Sequence, residues 1–211
     1  YVQLGNEITN GFMWPLGQMN SNSDQQWKNL AQLFNAATAG LRQVAPTAKS
    51  ILHLDCGGDS SRVRWWLMKA SLYRMRDFDI VGLSYYPQWH GSIANLTETL
   101  EMVAWEFEKP VLIAETAYPY TSTRFGSDVI DVSKGTFAAY PATTSGQAAY
   151  VKKLTSIMKK LYANNGVGVW WWEGLATHVV RNNQVIWDSG MTNSTLVDGT
   201  GKALPALAAL K

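Results

Sequence analysis

Two glutamates each stand at the end of a short apolar segment rich in Val, Leu and Ile. Glu7 ends residues 2–7, and Glu115 lies near the end of residues 110–116. A carboxylate at the C-terminal tip of a barrel strand points into the mouth that carries the active site. Two carboxylates facing each other there, about 5 to 5.5 Å apart, could act as a retaining glycosidase, one as acid/base and the other as nucleophile. Either glutamate alone could instead be a solvated loop residue.

Buried strands that alternate with amphipathic helices would position these glutamates. The apolar runs predict five strands, at residues 2–7, 50–55, 79–86, 110–116 and 166–172. Helical patterns separate them: Ser23 with Gln26 opens the first, and Thr144 with Gln147 opens a later one. This order implies right-handed crossovers and a parallel sheet, either open and doubly wound or part of a (β/α)8 barrel.

The chain lacks the glycine-rich phosphate-binding loops that usually accompany an open doubly wound sheet. We therefore favour an incomplete (β/α)8 TIM-barrel type fold. The chain has 211 residues, against about 250 for a typical complete barrel. We expect one catalytic barrel domain over residues 1–211 that supplies strands four to eight, with the three N-terminal β/α units missing. The long connection at residues 120–146 is a candidate functional loop.

Composition excludes several other classes of function. The 18 basic and 16 acidic side chains give a formal net charge of +2 without long runs of either sign, so we expect no nucleic acid partner. No apolar run approaches the roughly 18 residues of a membrane helix, so we expect no membrane partner. His53, His90 and His178 lack the spacing of a catalytic zinc site, and no GxSxG motif is present. The lone Cys56 is expected to be a small buried thiol.

Tryptophan is frequent, with ten residues in the chain. Flat aromatic faces suit the apolar faces of sugar rings, which makes Trp14, Trp89 and Trp172 candidate sugar contacts. Ordinary packing explains three others: Trp27, Trp66 and Trp105. His90 could donate to a substrate hydroxyl or be a structural histidine.

Six motifs occur in one order along the chain: Gly5-Asn6-Glu7-Ile8, Trp14-Pro15-Leu16-Gly17, His53-Leu54-Asp55, Ser84-Tyr85-Tyr86-Pro87, Ala114-Glu115-Thr116 and Trp172-Glu173. Together they resemble the arabinogalactan endo-β-1,4-galactanases of glycoside hydrolase family 53. The resemblance implies a (β/α)8 barrel with Glu7 as acid/base on the fourth strand and Glu115 as nucleophile on the seventh. It implies internal cleavage, with retention, of the β-1,4-galactan side chains of pectin.

The same resemblance implies roles for six further residues. Asn6 would hold the substrate 2-hydroxyl, Tyr86 would hydrogen-bond the nucleophile, and Trp172 would lie beneath the reacting sugar. The remaining substrate contacts would be Asp55, His90 and Trp14. No cofactor is required by this chemistry. Some bacterial members bind calcium in the loop after the seventh strand, but here that loop carries Arg124 and no histidine, which leaves Asp128 and Asp131 as candidate ligands.

Two alternatives stay open: another retaining β-glycanase or β-galactosidase of the same clan, or an inactive sugar-binding fragment. The family's first three strands carry substrate-positioning residues, so this chain by itself could be inactive while its parent is an enzyme. We expect the complete protein to be a monomer. A polymeric substrate further implies a secreted, cell-surface or periplasmic location.

Overall fold

In the computed structural model of the protein, the described residues are 1–134, 139–175, 179–181, 184–187 and 189–210. Five strands form one parallel sheet in chain order: β1 (Val2–Gln3), β2 (Ser50–Leu54), β3 (Ile80–Ser84), β4 (Val111–Thr116) and β5 (Gly166–Trp171). Six helices accompany them: α1 (Asp24–Val44), α2 (Ser60–Leu72), α3 (Pro87–His90), α4 (Ile93–Glu106), α5 (Thr144–Lys160) and α6 (Pro205–Ala209). The strands β6 (Val179–Arg181) and β7 (Gln184–Trp187) form a separate antiparallel pair.

All five predicted strands of the parallel sheet are present, but the first is much shorter than predicted. The chain leaves β1 after Gln3, because Gly5 has a φ of +86° and Glu7 a φ of +46°. Both values lie in the left-handed region, which a strand does not use. Glu7 therefore stands in the turn that follows the strand and not on the strand itself. The antiparallel pair β6–β7 was not predicted.

The predicted helix starts are close to the observed ones. Ser23 caps α1 by accepting a hydrogen bond from the backbone N–H of Gln26, as predicted. The cap of α5 is Thr143, one residue before the predicted start, and Gln147 instead donates to two loop carbonyls. The predicted helix-free connection at residues 120–146 contains a short 3-10 turn at Val132–Lys134, and its residues 135–138 lie outside the described part. None of the described helices is long and apolar enough to cross a membrane.

Apolar residues form two layers, one on each face of the sheet. The larger layer lies between the sheet and the helices and includes the fully buried Trp27 and Trp66, as the packing prediction requires. The smaller layer contains four residues on the other, concave face: Ile51, Ile80, Leu112 and Ala114. Strands buried on both faces are typical of parallel sheets. Trp105 departs from the prediction, because it is 63% exposed and contacts Tyr162 at the surface.

Candidate active site

Glu7 occupies a tight turn beyond β1, held by the two neighbouring strands. Its backbone N–H donates to Nδ1 of His53 on β2, over 3.3 Å. Its side chain accepts a hydrogen bond from Ser84 at the end of β3, with 2.6 Å between Oγ and Oε1. Both contacts lie where the C-terminal ends of parallel strands meet. The carboxylate is therefore fixed at the mouth-bearing end of the sheet.

Glu115 reaches the same place through an irregularity between β3 and β4. Ala114 packs in the concave-face layer, so strict alternation would turn the next side chain towards the helices. The pairing shifts register here, however, from Leu83 opposite Ile113 to Ser84 opposite Glu115. One extra residue on β4 re-aims the side chain that follows it, as bulges do. Glu115 consequently points to the concave face and is only 8% exposed.

The two carboxylates face each other at close range. One oxygen of Glu7 and one of Glu115 lie within 4.8 Å of each other. Burial and the nearby charge of Glu7 together raise the pKa of Glu115 to about 7, although the hydrogen bond from Tyr86 opposes both effects. Two carboxylates this close do not both ionise readily. Glu115 therefore keeps its proton to a higher pH than an ordinary glutamate does.

Tyr86 and His90 are held together beside the pair. The Tyr86 hydroxyl donates to Oε2 of Glu115 over 3.1 Å, which orients that carboxylate. The Tyr86 backbone N–H donates to Nδ1 of His90 over 3.1 Å. Burial lowers the pKa of His90, although Asp55 opposes this. His90 is therefore a neutral ring in a fixed orientation, able to form a hydrogen bond with a substrate hydroxyl.

Seven of the eight predicted site residues line one cavity of about 410 Å³: Asn6, Glu7, Asp55, Tyr86, His90, Glu115 and Trp172. Trp89, a predicted sugar contact, also lines it. Sequence reasoning missed two further lining residues, Val129 and Met191, because both are apolar loop residues without chemical signature. A second cavity of about 660 Å³ shares Asp55, Trp89 and His90 with the first. The two together form a groove.

Trp14 is the predicted site residue that does not line this cavity. It stands in an exposed loop between Gly11 and Gln18, which form an isolated bridge, and its ring is 62% exposed. Its role as a sugar contact stays a prediction. His178 lies outside the described residues.

A polar layer lies beneath the glutamates, as the alternation of side chains along β2 and β3 predicts. His53 and Ser84 are fully buried and hydrogen-bonded to each other, with 2.9 Å between Nε2 and Oγ. The sequence did not predict that these two residues contact each other and Glu7. Glu173, next to Trp172, has a buried oxygen Oε2 without a hydrogen-bond partner among the described residues.

Both candidate calcium ligands in the loop after β4 are engaged in hydrogen bonds. Asp128 is buried and accepts the backbone N–H groups of Phe125 and Asn193, over 2.8 and 3.2 Å, while its Oδ1 has no partner among the described residues. Asp131 accepts from the backbone of Ser133, and Arg124 donates to the carbonyl of Asp128. Calcium takes about six to eight oxygen ligands. The two carboxylates supply at most four, so any calcium site here would need further ligands from outside them.

Comparison with known proteins agrees with this geometry. The profile of the family described as glycosyl hydrolase family 53 matches residues 1–210. The chain belongs to glycosyl hydrolase family 53. An arabinogalactan endo-beta-1,4-galactanase of Humicola insolens is 29% identical over 98% of this family 53 chain and 59% of its own length. An endo-beta-1,4-galactanase of Bacillus subtilis is 30% identical over 89% of this chain and 43% of its own.

A solved structure gives the corresponding likeness in fold. The GH53 catalytic domain of Ignisphaera aggregans superposes with a TM-score of 0.86 at 26% identity, covering 99% of this chain and 57% of that one. The family 53 chain thus spans about half the length of these relatives, from 43% to 59%. Its five parallel strands are those of an incomplete (β/α)8 barrel, as predicted.

Proposed function

We propose that the protein is an endo-acting, retaining glycoside hydrolase that cleaves β-1,4-linked galactan. The observation that carries this proposal is the close approach of Glu7 and Glu115, within 4.8 Å between carboxylate oxygens, in one groove. Retaining glycosidases hold their two carboxyl groups about 5 to 5.5 Å apart, whereas inverting enzymes need about 6.5 to 9.5 Å to admit a water. The short separation favours attack by a carboxylate.

The first step forms a bond between Glu115 and the sugar. The ionised carboxylate of Glu115 attacks the anomeric carbon, and the bond from this carbon to the glycosidic oxygen breaks. Glu7 gives its proton to that oxygen, so the leaving chain departs as a neutral alcohol. Because the raised pKa favours a proton on Glu115, this step requires that Glu115 be ionised and that Glu7 carry the proton when substrate is bound.

The second step returns both residues to their starting states. Glu7, now ionised, takes a proton from a water molecule that attacks the anomeric carbon, and the ester to Glu115 breaks. Two inversions give net retention. Both reacting carboxylates are on this chain, so we propose that the reaction needs no metal or organic cofactor.

The shape and lining of the site support a polymeric substrate. The two adjoining cavities share Asp55, Trp89 and His90 and so extend past the glutamates. Trp89 and Trp172 are 51% and 43% exposed, which leaves ring faces open for sugars. An extended groove accepts the interior of a chain, whereas an enclosed pocket would accept only its end. Galactan is the named substrate of the relatives, and the galactan side chains of pectin are the proposed source.

The test is the release of reducing ends from linear β-1,4-galactan, with β-mannan and xylan in parallel, by the complete protein and its Glu115→Ala variant. We expect release from galactan by the parent and at least a 10³-fold loss in the variant. Cleavage of mannan or xylan without cleavage of galactan would show that the proposed substrate is wrong, while the proposed two-carboxylate mechanism would still stand. Binding of galactan without turnover would indicate a sugar-binding protein.

Three further properties belong to the same proposal. A polysaccharide substrate implies that the complete protein acts outside the cytoplasm, which fractionation of the producing cells would test. Turnover should survive dialysis against a chelator, because both reacting groups are carboxylates of the chain itself. A single monomeric species is expected by light scattering.

A further inference from the structure

Three hydrogen bonds, one buried and two partly buried, lead from the backbone of Glu7 back to its own side chain. The Glu7 N–H donates to His53 Nδ1, over 3.3 Å. His53 Nε2 and Ser84 Oγ are 2.9 Å apart. Ser84 Oγ and Glu7 Oε1 are 2.6 Å apart. These contacts link three successive segments of the barrel mouth into one closed ring, called the Glu7 ring below.

The direction of all three hydrogen bonds follows from the first one, in which the Glu7 backbone N–H donates to His53. A backbone N–H can only donate, so His53 Nδ1 must be the unprotonated nitrogen. Burial lowers the pKa of His53 to about 4, despite the opposing charge of Asp55, so the ring is neutral and its one hydrogen is on Nε2. Nε2 therefore donates to Ser84. The Ser84 hydroxyl hydrogen is then left for Oε1 of Glu7.

We propose that His53 and Ser84 are positioning residues that decide which oxygen of Glu7 carries the catalytic proton. Because Oε1 accepts the Ser84 hydroxyl, it does not carry a hydrogen of its own. Oε2 is the oxygen that protonates the leaving group and later takes the proton from water. This inference rests on the proposed function, in which Glu7 is the acid/base.

Burial separates this role from substrate binding. His53 and Ser84 are both 0% exposed and do not line the cavity that holds the glutamates. His53 also has a ring nitrogen within 4.8 Å of a Glu115 carboxylate oxygen, but the side-chain hydrogen bond from this pair to a glutamate is the one from Ser84 to Glu7. The turn at Glu7 has a φ of +46°, a conformation that non-glycine residues avoid. The Glu7 ring holds that turn from both its backbone and its side chain, which keeps the carboxylate in one orientation.

The decisive experiment varies how much the leaving group needs a proton. The substrates are linear β-1,4-galactan and 2,4-dinitrophenyl β-1,4-galactobioside, whose dinitrophenolate leaves without protonation. We measure kcat/KM, which reports the first step, for the complete protein and for Ser84→Ala. General acid catalysis contributes about 10² to 10⁴-fold. We expect Ser84→Ala to lose about 10 to 100-fold on galactan and less than about 3-fold on the dinitrophenyl substrate.

Two reference variants calibrate that result. Glu7→Ala removes the acid itself, so its kcat/KM should fall on galactan by more than that of Ser84→Ala and again much less on the dinitrophenyl substrate. Thr116→Val removes another buried hydroxyl, one that contacts Tyr150 outside the Glu7 ring. Any loss in that variant should be equal on both substrates. An equal loss on both substrates for Ser84→Ala would overturn the inference and indicate a purely structural serine.

The outcomes also distinguish this inference from the proposed function. If the unmodified protein fails to cut galactan, the proposed function falls, whatever Ser84→Ala does. A second measurement does not depend on any variant folding: the ¹⁵N chemical shifts of the His53 ring in the unmodified protein. We expect a neutral ring protonated at Nε2. Protonation at Nδ1 would contradict the direction of the Glu7 ring and overturn the inference.

Discussion

Replacing Glu115 with glutamine should stabilise the fold at alkaline pH and leave its stability at acidic pH nearly unchanged. The carboxylate is 8% exposed, close to Glu7 and supported by the Tyr86 hydroxyl. Burial raises its pKa from 4.5 to about 7. Glutamine keeps the shape of the side chain and still accepts the hydrogen bond from Tyr86, but it never becomes charged.

The sign and size of the effect follow from this raised pKa. A group whose pKa is higher in the folded state stabilises folding fully below pH 4.5, its unfolded value, and loses that contribution as pH rises through about 7. At about 1.4 kcal/mol per pH unit, a shift from 4.5 to about 7 corresponds to a loss of about 3.5 kcal/mol. The glutamine variant does not lose this free energy, because its side chain stays neutral. In a protein of this size, that corresponds to a rise in Tm of roughly 7 to 14 °C.

The assay is thermal or urea unfolding of the protein and Glu115→Gln at pH 4.5 and pH 8.5. The matched control is Glu98→Gln, since Glu98 is an exposed glutamate that accepts a hydrogen bond from Ser60. We expect the difference between Glu115→Gln and the parent to grow with pH and the control to stay within about 0.5 kcal/mol at both values. A Glu115→Gln variant equally stable at both pH values, relative to the parent, would refute the reasoning.

Three other predictions follow from single contacts. Tyr86→Phe removes the hydrogen bond that lowers the pKa of Glu115, so the acidic limb of the kcat/KM profile should move to higher pH; an unmoved limb would contradict this. For Asp79, burial alone would raise the pKa, but hydrogen bonds from the Ser50 backbone and Arg42 outweigh it and lower the pKa to about 2. Asp79→Asn should therefore cost about 1 to 2 kcal/mol in urea unfolding at pH 7, a loss that shrinks as pH falls from 3.8 towards 2. Gly82→Ala places a methyl group 2.8 Å from Ile51 Cγ2, and this crowding should cost about 1 to 3 kcal/mol of stability, checked by the same method.

Local pattern was enough to predict most elements because helices and strands have distinct periods. The five apolar runs correspond to the five parallel strands in the predicted order. Ser23 was recognised as a cap since capping needs only a side-chain oxygen near a backbone N–H three residues later. The pattern failed where conformation depends on turns, as at β1, which ends at Gln3 because Gly5 and Glu7 adopt positive φ values.

Strand ends pointed to the two glutamates and the family resemblance to the other candidate site residues, with two exceptions among the aromatic residues. Seven of eight predicted residues line one cavity, because the C-terminal ends of parallel strands meet at one edge. Trp14 was chosen on residue type and lies in an exposed loop away from that cavity. Trp105, assigned to packing, is exposed. In both cases a residue's type gives no information on which surface of the molecule it faces.

The sequence by itself determined the family, the strand order and the two glutamates at the strand ends, since each depends on residue identity and local spacing. Only the tertiary structure decided how the glutamates work together. The register shift opposite Ser84 turns Glu115 to the concave face, and its burial raises the pKa of that carboxyl. The Glu7 ring requires β2 and β3 to bring His53 and Ser84 into contact. These features arise from pairing and burial between segments far apart in the chain, and the local spacing of residues does not predict either of them.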